Sequence, residues 1–122
     1  MTAYHDPDAA LERVQSDLAA AQERAARAQE ARARIAAVRG VGRSPRGEVR
    51  VQVDSAGVLR DLALTDDAMR LSPGELVRLI LDAARAAQQD SAARTVAVAE
   101  EAFGAESAMV AHLRAEVEQR IR

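Results

Sequence analysis

The stretch from Gly47 to Gln88 constrains the fold more than any other part of this 122-residue chain. Valines alternate with polar residues from Val49 to Val53, which predicts a half-buried strand, and a returning strand is predicted from Val58 to Leu64. A tight turn is predicted at residues 54–57, because Asp suits its first position and Gly tolerates positive φ at its last. Long alanine-rich helices are predicted on both sides, so the sequence indicates an α+β fold with a small antiparallel β-meander.

The N-terminal helix is predicted to start at Asp6, which can cap it, and Pro7, which suits its first position. No Gly or Pro follows before Gly40. Apolar residues recur at spacings of three and four and predict a narrow seam, made of Leu11, Val14, Leu18, Ala21, Ala25, Ala28 and Ile35. A helix of this length is about 45 Å long. It would project beyond a small domain unless a partner helix covers it.

The second long helix is predicted to begin at Ser72, where Glu75 completes a capping box. Its predicted inner face consists of Leu76, Val77, Ile80, Leu81, Ala84, Ala87 and Gln88, and the pattern continues through Ser91, Thr95, Val98 or Ala99, and Ala102. Val51 and Val53 are expected to be buried together with Leu62, Leu64 and Ile80. A break is predicted at Phe103-Gly104, and the amphipathic stretch beyond it contains Met109 or Val110, Leu113, Val117 and Ile121. We interpret residues 1–122 as one domain, with a core at about 10–103 and a helical extension over 105–122.

Residues for catalysis or metal binding do not form a recognisable pattern. The chain has no cysteine, and neither His5 nor His112 lies in a ligand motif. The carboxylate pairs Asp66-Asp67 and Glu100-Glu101 fall in loop or exposed helix positions. We therefore expect no catalytic residue, no cofactor and no metal. The N-terminus lacks a secretory pattern and no apolar stretch approaches a membrane span, so a cytoplasmic protein without a membrane partner is expected.

Charge is distributed unevenly along the chain. All 17 basic residues are arginines; eight of them fall within residues 24–50, against two acids. Residues 1–23 hold five acids and one arginine, and residues 51–122 hold twelve acids and eight arginines. A basic block of this kind is either a nucleic-acid footprint or an ordinary solvated helix face.

The order of these elements resembles the YbaB/EbfC family of bacterial nucleoid-associated proteins, in the alanine-rich form of its divergent actinobacterial members. The resemblance covers about residues 10–103 and is carried by Gly47 to Val53, Gly57, Leu59 to Leu64 and Leu76 to Gln88. It implies an α-β-β-β-α subunit whose third strand lies around Val38 to Arg43. It also implies an intertwined homodimer in which paired strands form a central sheet, long helices project as arms, and DNA is bound in the nucleoid with little sequence preference.

Two functions therefore remain open. In the first, the arginine block binds DNA phosphates; the best candidates lie in the Gly/Pro-rich link, and those on the helix are weaker because Glu23 and Glu30 can neutralise some of them. The candidates are Arg39, Arg43 and Arg46, followed by Arg24, Arg27, Arg32 and Arg34. In the second, the dimer is a scaffold whose acidic, alanine-lined helices bind a protein partner, for example a secretion-associated one.

Overall fold

The computed structural model describes residues 6–120. Within that range a three-stranded antiparallel sheet lies between two long helices in chain order, which confirms the predicted α+β fold. The elements are α1 (Pro7–Ala36), β1 (Gly40–Arg43), β2 (Val49–Val53), β3 (Leu59–Leu64), a 3-10 turn (Ala68–Arg70), α2 (Pro73–Phe103) and α3 (Ala108–Arg120). His5 and Ile121 lie outside the described residues.

Helix α1 starts as the sequence predicts and then extends away from the sheet. The Asp6 carboxylate accepts the Asp8 N–H at 3.0 Å, and Pro7 occupies the first turn. Every residue from 7 to 27 is exposed. Only the last turns pack on α2, through buried Ala31 and half-buried Ile35. The apolar seam on the first two thirds of α1 is therefore uncovered in the single chain.

The sheet has the order β1-β2-β3, so β2 is central. Gly42 pairs with Val51, and Val51 pairs with Leu62 on its other side. The edge strand β1 falls where the family resemblance implies a third strand. The side chains of Val49, Val51 and Val53 point to α2 and are almost completely buried.

Helix α2 lies over β1 and β2 rather than over the whole sheet. The predicted burial of Val51 and Val53 beside Ile80 is confirmed. The predicted burial of Leu62 and Leu64 is wrong for the single chain, because these side chains on β3 remain 40% and 38% exposed. The sheet thus has an apolar flank that no part of residues 6–120 covers.

Two glycines on β1 determine where α2 lies. A Cβ atom on Gly42 would lie 2.6 Å from the Ala87 nitrogen and closer still to the Ala83 carbonyl oxygen. A Cβ atom on Gly40 would lie 2.6 Å from the Ser91 Cβ. The helix backbone therefore rests directly on the strand backbone, an approach that only residues without a Cβ permit.

This close approach corrects the predicted inner face of α2. Ala87 is buried and Leu76, Ile80 and Ala84 pack against the valine core, as predicted. Val77 and Leu81 are 54% and 58% exposed, and Gln88 is exposed as well. The fully buried positions are small residues that fit against the strand or the other helices, namely Ala83, Ala87, Ser91, Ala92, Thr95 and Ala99. The predicted continuation through Ser91, Thr95 and Ala99 is confirmed, but the pattern misses Ala83 and Ala92. Periodicity ranks large apolar residues first and so wrongly includes Val77 and Leu81.

Helix α3 folds back on α2 after the predicted break. Gly104 has φ +88° and ends α2, so the chain can reverse there. Val110 is fully buried, Leu113 and Val117 are half-buried, and Met109 is exposed. The predicted amphipathic stretch is therefore confirmed, with Val110 rather than Met109 on the inner face.

The start of α2 provides a first test of the fold. The Ser72 Oγ accepts the Glu75 N–H at 3.3 Å and donates to the Glu75 carboxylate at 3.0 Å. Ser72→Ala should lower the free energy of unfolding by about 0.5–2 kcal/mol, because the Glu75 N–H would have no side-chain acceptor. Ser72→Asp should be nearly neutral, since Asp also caps. Urea unfolding checks both, and equal destabilisation by both would place the functional cap elsewhere.

The turn between β2 and β3 is held by one carboxylate. Asp54 Oδ1 accepts the N–H groups of Ala56 at 2.9 Å and Val58 at 3.0 Å, and Oδ2 accepts the Arg60 Nε–H at 2.9 Å. The Val58 N–H is the largest cause that lowers the pKa of Asp54 from its ordinary 3.8, against the opposing effect of burial.

Stability should therefore depend on the charge of Asp54. A carboxyl group whose pKa is lowered by folding stabilises the fold above its unfolded pKa, and that contribution disappears as the pH falls through the folded pKa. We expect unfolding to become easier below about pH 4, and Asp54→Asn to weaken this dependence. Asp61→Asn, which removes an exposed β3 carboxylate, is the control. Parallel pH curves for all three proteins would contradict the role given to Asp54.

Candidate nucleic-acid interface

The sheet face that points away from α2 carries an unusual pair of arginines. Arg43 on β1 and Arg50 on β2 are direct cross-strand partners, and both are exposed. Like charges placed opposite each other on a sheet repel and are destabilising. Within residues 6–120, no acidic group lies within 4.0 Å of either guanidinium. The pair is therefore available to a negatively charged ligand.

The hairpin loop next to this pair has a well-defined conformation. The Ser44 Oγ accepts the Val49 N–H at 2.9 Å and donates to Glu48 Oε1 at 2.8 Å, while Gly47 turns the chain with φ +76°. Arg46 is exposed at the loop tip. The backbone N–H of Glu48 itself, followed by the Ser44 hydroxyl, lowers the pKa of the Glu48 carboxyl group, so this acid is ionised and bonded to the loop. The positive charge of Arg46 is a further cause that lowers the pKa of Glu48. Arg46 lines a surface pocket with Glu75 and Arg78 of α2, so it lies apart from the outward-facing pair Arg43 and Arg50.

Strand β1 is fixed in place by a carboxylate from α2. Asp90 Oδ2 accepts the Val41 N–H at 2.9 Å and the Arg94 Nε–H at 3.0 Å. The Val41 N–H is the largest cause that lowers the pKa of Asp90. Since Val41 lies on the outer edge of the sheet, this bond occupies an edge amide that would otherwise be open to another strand. It also orients β1 and hence Arg43.

Arg39 is also exposed, but its guanidinium already has partners. Its Nη1 donates to the carbonyl oxygens of Val38 at 2.8 Å and Ala36 at 3.3 Å. A cation at this position stabilises the carboxyl end of α1 through the helix dipole. Arg39 therefore has a structural role that Arg43 and Arg46 lack.

The remaining candidates are spread along α1 and are not brought together. Arg34 pairs with Glu101 of α2 at 2.5 Å, and Arg27 pairs with Glu23 at 3.7 Å. Arg24 and Arg32 are exposed and form no ion pair in the described part of the chain. The residues from 24 to 34 extend over about 15 Å of helix. They do not form a compact site with the sheet arginines.

Arg50 is missing from the candidates that the sequence provides. Its place in the valine alternation of β2 assigns it to the outer face, which is detectable from sequence. Its position opposite Arg43 depends on the β1–β2 register, which the loop sequence does not specify. The outward sheet surface formed by Arg43 and Arg50 is called the arginine face below.

A protein-family model, the YbaB/EbfC DNA-binding family, matches residues 11–106. The chain belongs to this family. The resemblance inferred from the strands and helices is thereby confirmed, and DNA binding is the activity of the family. The match includes the arginine face, the whole sheet, α2 and all of α1 beyond residue 10, but not α3. A comparison with curated proteins found no match.

The described residues offer little for other kinds of site. Between residues 6 and 120, no three His, Asp or Glu side chains are grouped so that they could hold a metal ion. None of the helices in that range combines the length and the apolar character needed to cross a membrane. The arginine face is the strongest candidate site that the geometry provides.

Proposed function

We propose that this protein is a homodimeric, nucleoid-associated DNA-binding protein that contacts phosphates through the arginine face. The observation that carries the proposal is the cross-strand pair Arg43 and Arg50, two exposed cations that form no ion pair among residues 6–120. Membership of a DNA-binding family supports the ligand class. The protein would act in the cytoplasm, at the nucleoid.

The proposed mode of binding is phosphate contact with little sequence preference. Arginine binds phosphate through parallel N–H···O bonds, and such contacts position a protein on a duplex without reading its bases. The arginine face is a small sheet surface, and no helix on it is placed to enter the major groove. Binding should therefore release counterions and weaken steeply with salt.

The dimer is proposed to form on the apolar flank of the sheet. Exposed Leu62 and Leu64 on β3 lie on the α2 side of the sheet, and exposed Val77 and Leu81 lie on the side of α2 nearer β3. Gln88 lies on the same side of α2 as Val77 and Leu81, and its side chain donates to the Gly57 carbonyl oxygen, just before β3. This contact supports the placement of that side of α2 near β3. An exposed apolar strand at a sheet edge invites pairing with another chain. A second copy would cover this flank and present the arginine face twice.

A charge placed on the apolar flank of the sheet should prevent the proposed dimer from forming. Sedimentation at micromolar concentration should detect no free 13.1 kDa chain. Leu81→Glu should reduce the mass of the particle without unfolding the subunit, because the side chain is already exposed. Met109→Glu places the same charge at an exposed position on α3 and should leave the mass unchanged. A wild-type monomer would contradict the proposed dimer.

DNA binding is tested by comparing two double variants. Each removes two positive charges, one variant at the arginine face and the other elsewhere on the surface. Arg43→Ala with Arg50→Ala should weaken binding to all duplexes alike, and should flatten the log–log salt dependence by a slope of about 0.9 for each phosphate that the variant no longer neutralises. Arg70→Ala with Arg85→Ala is the matched control, since these arginines pair with Asp67 and Asp82. Gel shifts at two salt concentrations provide the measurement. If both double variants weaken binding equally, the affinity for DNA depends on the net charge of the protein and not on the arginine face.

The other candidate arginines should contribute less. Arg46→Ala should weaken binding next most, because its side chain is exposed at the loop tip. Arg39→Ala should mainly destabilise the end of α1, whose carbonyl groups it caps. Replacements on the helix, at Arg24, Arg27, Arg32 and Arg34, should have the smallest effects on affinity.

A scaffold function is the second candidate, and the ion pairs of Arg27 and Arg34 favour it. They remove part of the positive charge from α1, whose first half is acidic. In this case the dimer would bind a protein partner and no DNA. If the wild-type protein fails to shift duplex DNA at about 50 mM salt, where phosphate contacts are strong, the scaffold function is favoured.

A further inference from the structure

The first two thirds of α1 form a helical arm, defined here as residues 7–27, in which every residue is exposed. Its large seam residues Leu11, Val14 and Leu18 are each more than half exposed. Only at the base of the arm do Arg24 and Arg27 come near the end of α2, at Phe103. The arm is about 30 Å long. A helix in a protein gains most of its stability by packing its apolar face, so an uncovered seam favours pairing with a partner helix.

The arm has a strong internal asymmetry. Large apolar residues occupy the seam in its first half, at Leu11, Val14 and Leu18, whereas alanines occupy it afterwards, at Ala21 and Ala25. Acids dominate up to Glu23, and arginines follow from Arg24. Each half is therefore complementary in size and in charge to the other half.

We propose that the arms of two copies pair antiparallel as a two-helix coiled coil. In an antiparallel coil, seam residues of one helix pack beside seam residues of the other in reversed order. The spacing then places Leu18 beside the partner's Ala21 and Val14 beside the partner's Ala25. Leu11 lies beside the partner's Ala28, which is half-buried and still reachable. Every layer joins one large and one small side chain, the arrangement that fills a helix interface evenly.

Charge selects the antiparallel direction. Asp17 flanks the seam between Val14 and Leu18, and Arg24 flanks it between Ala21 and Ala25. In the antiparallel arrangement these two positions face each other across the interface, so two Asp17–Arg24 pairs form by symmetry. In a parallel pair, Asp17 would face Gln22 and Arg24 would face Gln29, which leaves no ion pair. The large residues would also meet each other, and alanines would meet alanines.

This contact is separate from the proposed dimer surface on the sheet. The arm lies away from β3 and from the exposed side of α2 that carries Val77 and Leu81. Two self-complementary surfaces on one chain join dimers into larger assemblies. Such assemblies would connect several arginine faces. Pairing would engage Arg24, which leaves the arginine face free.

Engineered cysteines test the direction of pairing directly, because the chain has none of its own. In the double variant Val14→Cys with Ala25→Cys, the thiol at position 14 of one chain should lie beside the thiol at position 25 of the partner chain. Mild oxidation should then produce a covalent dimer on a non-reducing gel. The two positions are about 16 Å apart along one helix, too far for a disulfide within the chain. Val14→Cys alone, Ala25→Cys alone and Ser16→Cys, which lies off the seam, should remain uncrosslinked.

The outcomes separate the alternatives. Cross-linking of the single variant Val14→Cys would show parallel pairing and overturn the proposal. No cross-linking of the double variant would show that the arm is unpaired, which also overturns it. Performing the experiment in the Leu81→Glu background keeps the result independent of the proposed sheet dimer.

A charge exchange gives an independent test. Asp17→Arg should reduce the yield of the cross-linked dimer several-fold, because it places two arginines opposite each other. Adding Arg24→Asp to that variant should restore the yield, since the pair is rebuilt in reverse. Both positions are exposed, so neither change should affect folding of the subunit. Failure of the second substitution to restore cross-linking would contradict the proposed contact.

Discussion

Replacing Val51 by Asp is expected to unfold the protein. Val51 is completely buried at the centre of β2, where it packs with Val49, Val53 and Ala87. An aspartate there would place an unpaired charge among apolar atoms, or would have to bind a proton to avoid it. The expected decrease in the free energy of unfolding is at least about 4 kcal/mol, which is a large part of the stability of a typical domain. Circular dichroism during urea unfolding measures it.

The matched control puts the same side chain on the other face of the sheet. Ala63 lies on β3, is exposed, and pairs across the strand with Arg50. Ala63→Asp should therefore change the free energy of unfolding by less than about 0.5 kcal/mol. If Val51→Asp and Ala63→Asp unfold at the same urea concentration, the assignment of the two sheet faces is wrong by one residue.

Local patterns are enough to predict β2, β3 and the long helices of this fold, although not β1. The valine alternation predicts β2, the Ser72 and Asp6 caps predict the helix starts, and Phe103-Gly104 predicts the end of α2. Each of these features depends on residues within a few positions of one another. Such features are accessible to sequence reasoning because the interactions that determine them are local.

The position of α2 on the sheet cannot be predicted in the same way. It depends on Gly40 and Gly42 meeting the helix backbone, a contact between residues more than 40 positions apart in the chain. The glycines alone are compatible with a flexible connector or a short edge strand. Without that contact, periodicity assigns Val77 and Leu81 to the interior, and the structure leaves both exposed.

The candidate site is predictable in composition but not in arrangement. The arginine block is visible as a local excess of charge. Sequence does not show that Glu101, which is 67 residues away, neutralises Arg34. It also does not show that Arg43 and Arg50 are neighbours, because their pairing depends on strand register. The arginine face therefore differs from the arginines of α1 in its long-range contacts, which composition does not show.

Replacing Gly42 by Ala should have the second large effect, although it adds a single methyl group. The new Cβ would overlap the Ala83 carbonyl oxygen and the Ala87 nitrogen. Both are backbone atoms of α2, so no side chain can rotate away to make room. The helix must instead move off the strand, which loosens the packing of α2 on the valine core. Overpacking typically costs about 1–3 kcal/mol, and we expect a destabilisation at or above the upper end.

Gly47→Ala is the control that separates packing from backbone conformation. Gly47 has φ +76°, and nothing lies within 4 Å of the position that its Cβ would occupy. Its replacement therefore costs only the strain of a left-handed residue, about 1–2 kcal/mol. Gly42→Ala adds a clash at a residue whose own φ needs no glycine, since the three positive-φ glycines are Gly47, Gly57 and Gly104. If Gly47→Ala proves the more destabilising of the two in thermal unfolding, then α2 is not held by its close contact with β1.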